Sequence, residues 1–153
     1  IEKNQVELFN EKRTNMEMEQ DFFRDQALNN LKKSECSSIV LYSTVAVKIG
    51  MPFHSSISAS KGAIEGLTLS LAAEFAPKIK VNCIAPSLTD SKMSQKMVSN
   101  ETIRKAIENM HPIPKIGTGE DFADLASFLL GEKNNWITGQ IFRAFSVTSL
   151  FLL

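Results

Sequence analysis

One stretch, Ser38 to Pro86, fixes the kind of sheet this chain can build. Ser38 to Ser43 (SIVLYS) is a short apolar run without polar alternation, the mark of a strand buried on both faces. Ser55 to Ala76 repeats apolar residues at helical spacing, and Ile79 to Ala85 returns to a β-branched run that Pro86 ends. Strand, helix, strand in that order is a βαβ crossover, because parallel neighbours cannot be joined by a tight turn. The expected fold class is therefore α/β, a parallel sheet of at least three strands flanked by helices.

The crossover helix carries two stripes. Ile57, Ile64, Leu67, Leu71 and Phe75 form the stripe expected to face the core, with Lys61 at its edge between Ile57 and Ile64. A lysine there either snorkels to water or is held for a ligand. Ala59, Ala63, Gly66, Ser70 and Ala73 form a second stripe of small residues, which lets another helix approach closely.

Ligands in parallel sheets bind beyond the carboxyl ends of the strands. Ser43 and Thr44 lie at one such end, and Pro86, Ser87, Thr89 and Ser91 follow the next. Hydroxyl-rich strand ends also serve as turns and helix caps. Between Ser91 and His111, Met93, Met97, Ile103, Ile107 and Met110 recur at helical spacing. Thr118 suits the cap of the next helix, Glu120 and Asp121 its first turn, and Gly131 its end. His54 sits in the crossover loop, where a histidine is ordinarily solvated.

The chain of 153 residues has room for one domain with a sizeable core. Seventeen basic and seventeen acidic residues cancel to a net charge of zero, which gives no nucleic-acid footprint. Cys36 and Cys83 lack metal-ligand spacing, so no metal site is expected, and a reduced, cytoplasmic compartment is the simplest reading. No stretch is apolar for long enough to span a bilayer, the C-terminal SLFLL included. That apolar end, beside a strand, is a sticky edge suited to pairing with another chain. Ile1 to Lys33 is the most charged part and reads as one or two amphipathic helices.

STVAVKIG, SASKGAIEGLTLSLAAEFAP and IKVNCIAP, in this order, resemble the short-chain dehydrogenase/reductase family, and the likeness runs over about 15–140. The resemblance implies a partial Rossmann-like domain, the second half of a doubly wound three-layer α/β/α sheet. The ends 1–14 and 145–153 match poorly, and the chain reads as the C-terminal part of something longer, a single domain over 1–153. In the family a serine ends one strand, a tyrosine stands thirteen residues later and a lysine four residues after that. Here those positions hold Thr44, Ile57 and Lys61. The lysine is kept and the tyrosine is not.

The resemblance implies NAD or NADP as cofactor and a small molecule whose hydroxyl and carbonyl forms are interconverted. The family tyrosine moves the substrate proton, its lysine lowers the phenol pKa and holds the nicotinamide ribose, and its serine positions the substrate oxygen. Carried over, Thr44 with Ser43 beside it and Lys61 are the catalytic candidates. Asn15 joins them as a proton-relay residue, although the usual spacing lands on Glu17. Lys61, Pro86, Ser87 and Thr89 or Ser91 are the cofactor-binding candidates. The glycine expected after Pro86 is Ser87, and no TGxxxGxG-like turn exists, the first glycine being Gly50. Ile57 in place of the tyrosine, Thr44 in place of the serine and the missing glycine-rich turn predict impaired or absent activity. The resemblance also makes 91–111 a lid over the substrate, and it implies a homodimer or homotetramer through helices at about 16–33 and 55–76. The alternative is a non-catalytic oligomerisation or partner-binding fragment that works through its helix surfaces.

Overall fold

The computed structural model describes residues 28–34, 37–92, 94–109 and 111–144. Along them run α1 (Leu28–Leu31), β1 (Ser37–Tyr42), α2 (Ala46–Ile49), α3 (Ser55–Phe75) and β2 (Ile79–Pro86). After these come α4 (Gln95–Val98), α5 (Glu101–Asn109), α6 (Gly119–Leu130) and β3 (Ile141–Ala144). The three strands form one parallel sheet in the order β1-β2-β3. The register runs from Ser37 opposite Ile79 to Tyr42 opposite Ile84, and from Cys83 opposite Ile141 to Pro86 opposite Ala144. The α/β reading and the crossover are as the sequence implies.

The central strand β2 is buried on both faces because helices cover both. On one face Ile79 and Val81 pack with Ile39 of β1 and with Ala72 and Phe75 of α3. On the other, Ile84 packs with Phe122 and Leu129 of α6, joined by Val40 and Phe142. Successive strand residues point to opposite faces, so one short strand serves two cores. Asn82 is also fully buried there, where its amide donates to the Ile137 carbonyl (2.9 Å) and accepts from the Gln140 N–H (3.1 Å). It thereby fastens the Trp136–Gln140 segment to β2 and sets the start of β3.

One expectation needs correction. In α3, Phe75 is buried and Leu71 packs against it, but Ile57, Ile64 and Leu67 are only half-buried. The buried line is Ser56, Glu65, Thr68, Ala72 and Phe75. The physical reason is that the first half of α3 lies over the polar strand ends, where side chains find hydrogen-bond partners rather than apolar ones. The helical spacing between Ser91 and His111 is realised as α4 and α5, and the Asn100 carboxamide accepts from the Thr102 (3.1 Å) and Ile103 (3.2 Å) N–H groups and so starts α5 anew.

The helix ends elsewhere follow the sequence signals. Thr118 caps α6, whose first turn holds Glu120 and Asp121, and Gly131 stands at its far end. Among the described residues no helix is long and apolar enough to cross a membrane.

Candidate active site

The parallel ladder continues past both strand ends. Ser43 N–H donates to the Ile84 carbonyl (2.8 Å) and Val45 N–H to the Pro86 carbonyl (3.1 Å), which sets Thr44 alongside Pro86. Thr44 is half-buried, and its hydroxyl oxygen accepts a long bond from Ala46 N–H (3.4 Å). Lys61 Nζ donates to the Tyr42 carbonyl at 2.9 Å, so the ammonium is drawn to the end of β1. An ammonium carries three N–H groups, and this bond uses one.

Ser43 has a different task. It is buried, and its hydroxyl faces two acceptors, Glu65 Oε1 at 2.9 Å and the Lys61 carbonyl at 3.2 Å. Glu65 in turn holds Arg143 of β3 through Oε2 (3.2 Å). The line Ser43, Glu65, Arg143 thus ties the two outer strands together across the end of β2. Cys83 of β2 lies beneath it; burial pushes its thiol above the ordinary range, the Glu65 carboxylate pushes the same way, and the Thr68 hydroxyl opposes both. Cys83 is a buried, free thiol, inert by that environment.

Ile57 is half-buried one turn before Lys61, and no flanking hydroxyl takes the place of a phenol. Ser56 is buried, Ser58 is aimed at the Ala46 carbonyl (3.4 Å), and Ser60 donates to the Ile57 carbonyl (3.0 Å). His54 faces the Pro52 carbonyl through Nδ1 (2.8 Å), and its own carbonyl accepts the Ser58 N–H (2.8 Å).

Beyond β2, Ser87 N–H donates to the Ala144 carbonyl (3.2 Å), which keeps it in the sheet's line. Its hydroxyl lies 3.2 Å from His111 Nε2, and His111 Nδ1 lies 2.8 Å from the Ile107 carbonyl. Thr89 turns its hydroxyl back onto the Ser87 carbonyl (3.0 Å), while its backbone bridges Gly117 and closes the base of the excursion that carries α4 and α5. Ser91 is exposed and engaged with Ser94, the arrangement of a turn. Of the candidates after β2, Ser87 lines a cavity that Leu88, His111, Ile113 and Phe122 also border. Asn15 and Glu17 lie outside the described residues, as does Cys36.

Sequence reasoning missed Glu65, Arg143 and His111. A glutamate four residues after Lys61, on the same helix face and inside an apolar repeat, was the available signal for the first. Nothing in sequence joins Arg143 to it, 78 residues away. Among the described residues no group of histidine, cysteine or carboxylate side chains is placed to hold a metal ion.

The family model for enoyl-(acyl carrier protein) reductase matches residues 22–144, most of the chain. The chain belongs to the short-chain dehydrogenase/reductase family. It is 32% identical over 115 residues to tropinone reductase-like 3 of Erythroxylum coca, covering 75% of this chain and 44% of that protein. To dehydrogenase/reductase SDR family member 4 of Homo sapiens it is 34% identical over 111 residues, covering 72% and 40%. The chain therefore spans less than half the length of these short-chain dehydrogenase/reductase relatives. Among solved structures, ElxO with NADP bound matches with a TM-score of 0.69 at 37% identity, over 76% of this chain and 48% of that one. The ligand-free aldohexose dehydrogenase of Thermoplasma acidophilum matches with a TM-score of 0.72 at 27% identity, over 77% and 50%. The Rossmann-like architecture read from the sequence is the one these neighbours share.

Proposed function

We propose that this chain supplies the substrate-side half of an NAD(P)-dependent oxidoreductase that interconverts hydroxyl and carbonyl groups on a small molecule, and that it does so slowly. The observation that carries the reading is the place of Lys61. Its ammonium is held at the carboxyl end of β1 by the Tyr42 carbonyl, next to Thr44 and the start of the β2 loop. The groups there fit the ribose and nicotinamide end of a dinucleotide: two remaining ammonium N–H groups donate to ribose hydroxyls, and the Pro86 and Ser87 carbonyls, each with one lone pair engaged, keep a second to accept from the ring's carboxamide. The phosphate end finds no glycine-rich turn in this sequence. When bound, the nicotinamide supplies or accepts the hydride.

Thr44 then orients the substrate oxygen, because its hydroxyl is turned neither to Glu65 nor to the Lys61 carbonyl as that of Ser43 is. Ile57 leaves the family's usual proton route without its donor, which is the reason for slow turnover. Cytoplasmic residence accords with the free thiol of Cys83. Assembly as a symmetric dimer through α3 is favoured by Ala59, Ala63, Gly66, Ser70 and Ala73, all exposed along one face of that helix.

A titration of the purified chain with NADH and NADPH, followed by nicotinamide fluorescence and by light-scattering mass, tests the reading. Saturable binding by a defined oligomer supports it, and a Lys61→Met variant should weaken that binding about tenfold. A well-folded oligomer that binds neither nucleotide would leave the helix surfaces as the working parts and overturn the oxidoreductase proposal.

A further inference from the structure

Ser87 and His111 line a cavity of about 240 Å³ beyond the carboxyl end of β2, with walls that are mainly apolar, from Leu88, Ile113, Phe122 and Ala144. The hydrogen bonds of this pair have a direction. A carbonyl oxygen only accepts, so the 2.8 Å contact with the Ile107 carbonyl places the proton of a neutral His111 on Nδ1. Nε2 is then an acceptor, and the Ser87 hydroxyl, 3.2 Å away, donates to it. In that state the pair offers the cavity lone pairs on Ser87 Oγ, and an anion finds no donor there.

A second proton on the ring reverses the bond between them. Both nitrogens of an imidazolium donate, so Nδ1–H keeps the Ile107 carbonyl while Nε2–H donates to Ser87 Oγ. The serine proton can no longer lie on that line, and the hydroxyl turns toward the cavity that Ser87 lines. One proton thus brings in a positive charge and changes Ser87 from acceptor to donor, with no shift of the backbone. The neighbouring charges are already engaged. At the rim the Lys115 ammonium and the Asp121 carboxylate of α6 are bound to each other at 2.5 Å. Glu108 of α5 is held by Arg104 (3.0 Å), which also reaches Asp90 beyond β2 (3.7 Å). From the strand ends the cavity receives Ser87, Leu88 and Ala144, none of which titrates.

We infer that this cavity is a proton-gated site for a small carboxylate, closed to it while His111 is neutral and open once His111 is protonated. The carboxylate accepts from the Ser87 hydroxyl beside the imidazolium charge, and its short hydrocarbon tail lies against Leu88, Ile113 and Phe122. At roughly 30 Å³ for each water-sized group the space takes about eight of them, which keeps the tail short. Against the neutral pair the same anion would lose water and gain no donor, which is unfavourable. The inference goes beyond the oxidoreductase reading, leaves Thr44 its role on the substrate oxygen and needs no nucleotide, so either can fail without the other.

The test is an NMR titration of the intact chain with butyrate, and with butyramide as a neutral probe of similar shape, at about pH 5.5 and about pH 8, on either side of the range in which histidines ordinarily titrate. The ring protons of His111 report its protonation and the contact together, and His54, the other histidine of the chain, is the control. Butyrate should bind at least about tenfold more tightly at the lower pH, the worth of a hydrogen bond to a charged group, while butyramide should change by less than about twofold. His111→Gln should abolish the gain. Ser87→Ala should weaken butyrate at the lower pH and leave it unchanged at the higher. Equal butyrate binding at both pH values, equal movement of the His54 signals, or a gain that survives either substitution would overturn the inference.

Discussion

The two sides of β2 treat polar groups in opposite ways near its carboxyl end. On the α3 side Ser43, Glu65 and Arg143 meet one another in a closed line over Cys83, with the Lys61 carbonyl as a further acceptor. On the α6 side Ser87 and His111 are bonded to each other but border an open cavity. The closed side fixes where β1, α3 and β3 end, and it holds Thr44 and Lys61 in register. The open side has room for a molecule. Rigidity and vacancy are thus divided between the two faces of one strand.

The largest effect is expected from the packed floor of the open side. Leu129 is fully buried against Ile84 and Phe122. Leu129→Ala should cost about 2–5 kcal/mol in urea unfolding, the range for a large-to-small change in a core. A loss below about 1 kcal/mol would mean that α6 does not pack as rigidly as α3, and the contrast between a firm floor and an open cavity would fail.

Next in size is a change of chemistry. Ile57→Tyr puts a phenol one helical turn before Lys61, on the same face of α3. If the missing proton donor is what slows turnover, nucleotide-dependent ketone reduction should rise about 100-fold, the scale of general acid catalysis. An unchanged rate, with the nucleotide still bound, would place the defect elsewhere than Ile57.

The closed line itself offers a paired test. Glu65→Leu removes the acceptor facing Ser43 and leaves Arg143 unpaired at an 11%-exposed partner site. We expect a loss of about 1–3 kcal/mol. Glu65→Gln keeps an acceptor for Ser43 and should lose about half as much. Equal losses would show that the carboxylate charge, and not the Ser43 bond, holds the line together.

How much of this was legible in sequence depended on whether a residue's partners are near it in the chain. The strands around Ser38–Pro86 and the crossover helix were readable because their apolar periods are local. The buried face of α3 was not, since Glu65 and Thr68 look like surface residues until Ser43 and Cys83 are brought over them. The same holds for His111, whose partner Ser87 lies 24 residues back across two short helices. Thr44 and Lys61 were singled out because a family spacing marks them, while Ser43 was paired with Thr44 although its hydroxyl points into the closed line.

The smallest expected effect sharpens the comparison at the rim of the cavity. Asp121 is exposed, and its carboxyl is lowered from 3.8 to about 2, first by the bond from Lys115 and then by the Thr118 backbone N–H and hydroxyl. A carboxyl whose folded value is depressed contributes stability that is fully present above its unfolded value and lost as pH falls toward the folded one. The contribution should therefore be intact at about pH 5 and fade between 3.8 and about 2. In thermal melts, wild type should exceed Asp121→Asn at the upper end of that window and converge with it at the lower end. The gap should shrink in salt, because the Lys115 bond is open to solvent and screened there. A gap constant across the window would assign the effect to the shape of the helix cap instead of to its charge. Lys115 would then not be compensated by Asp121, and the rim of the cavity would present an unpaired ammonium.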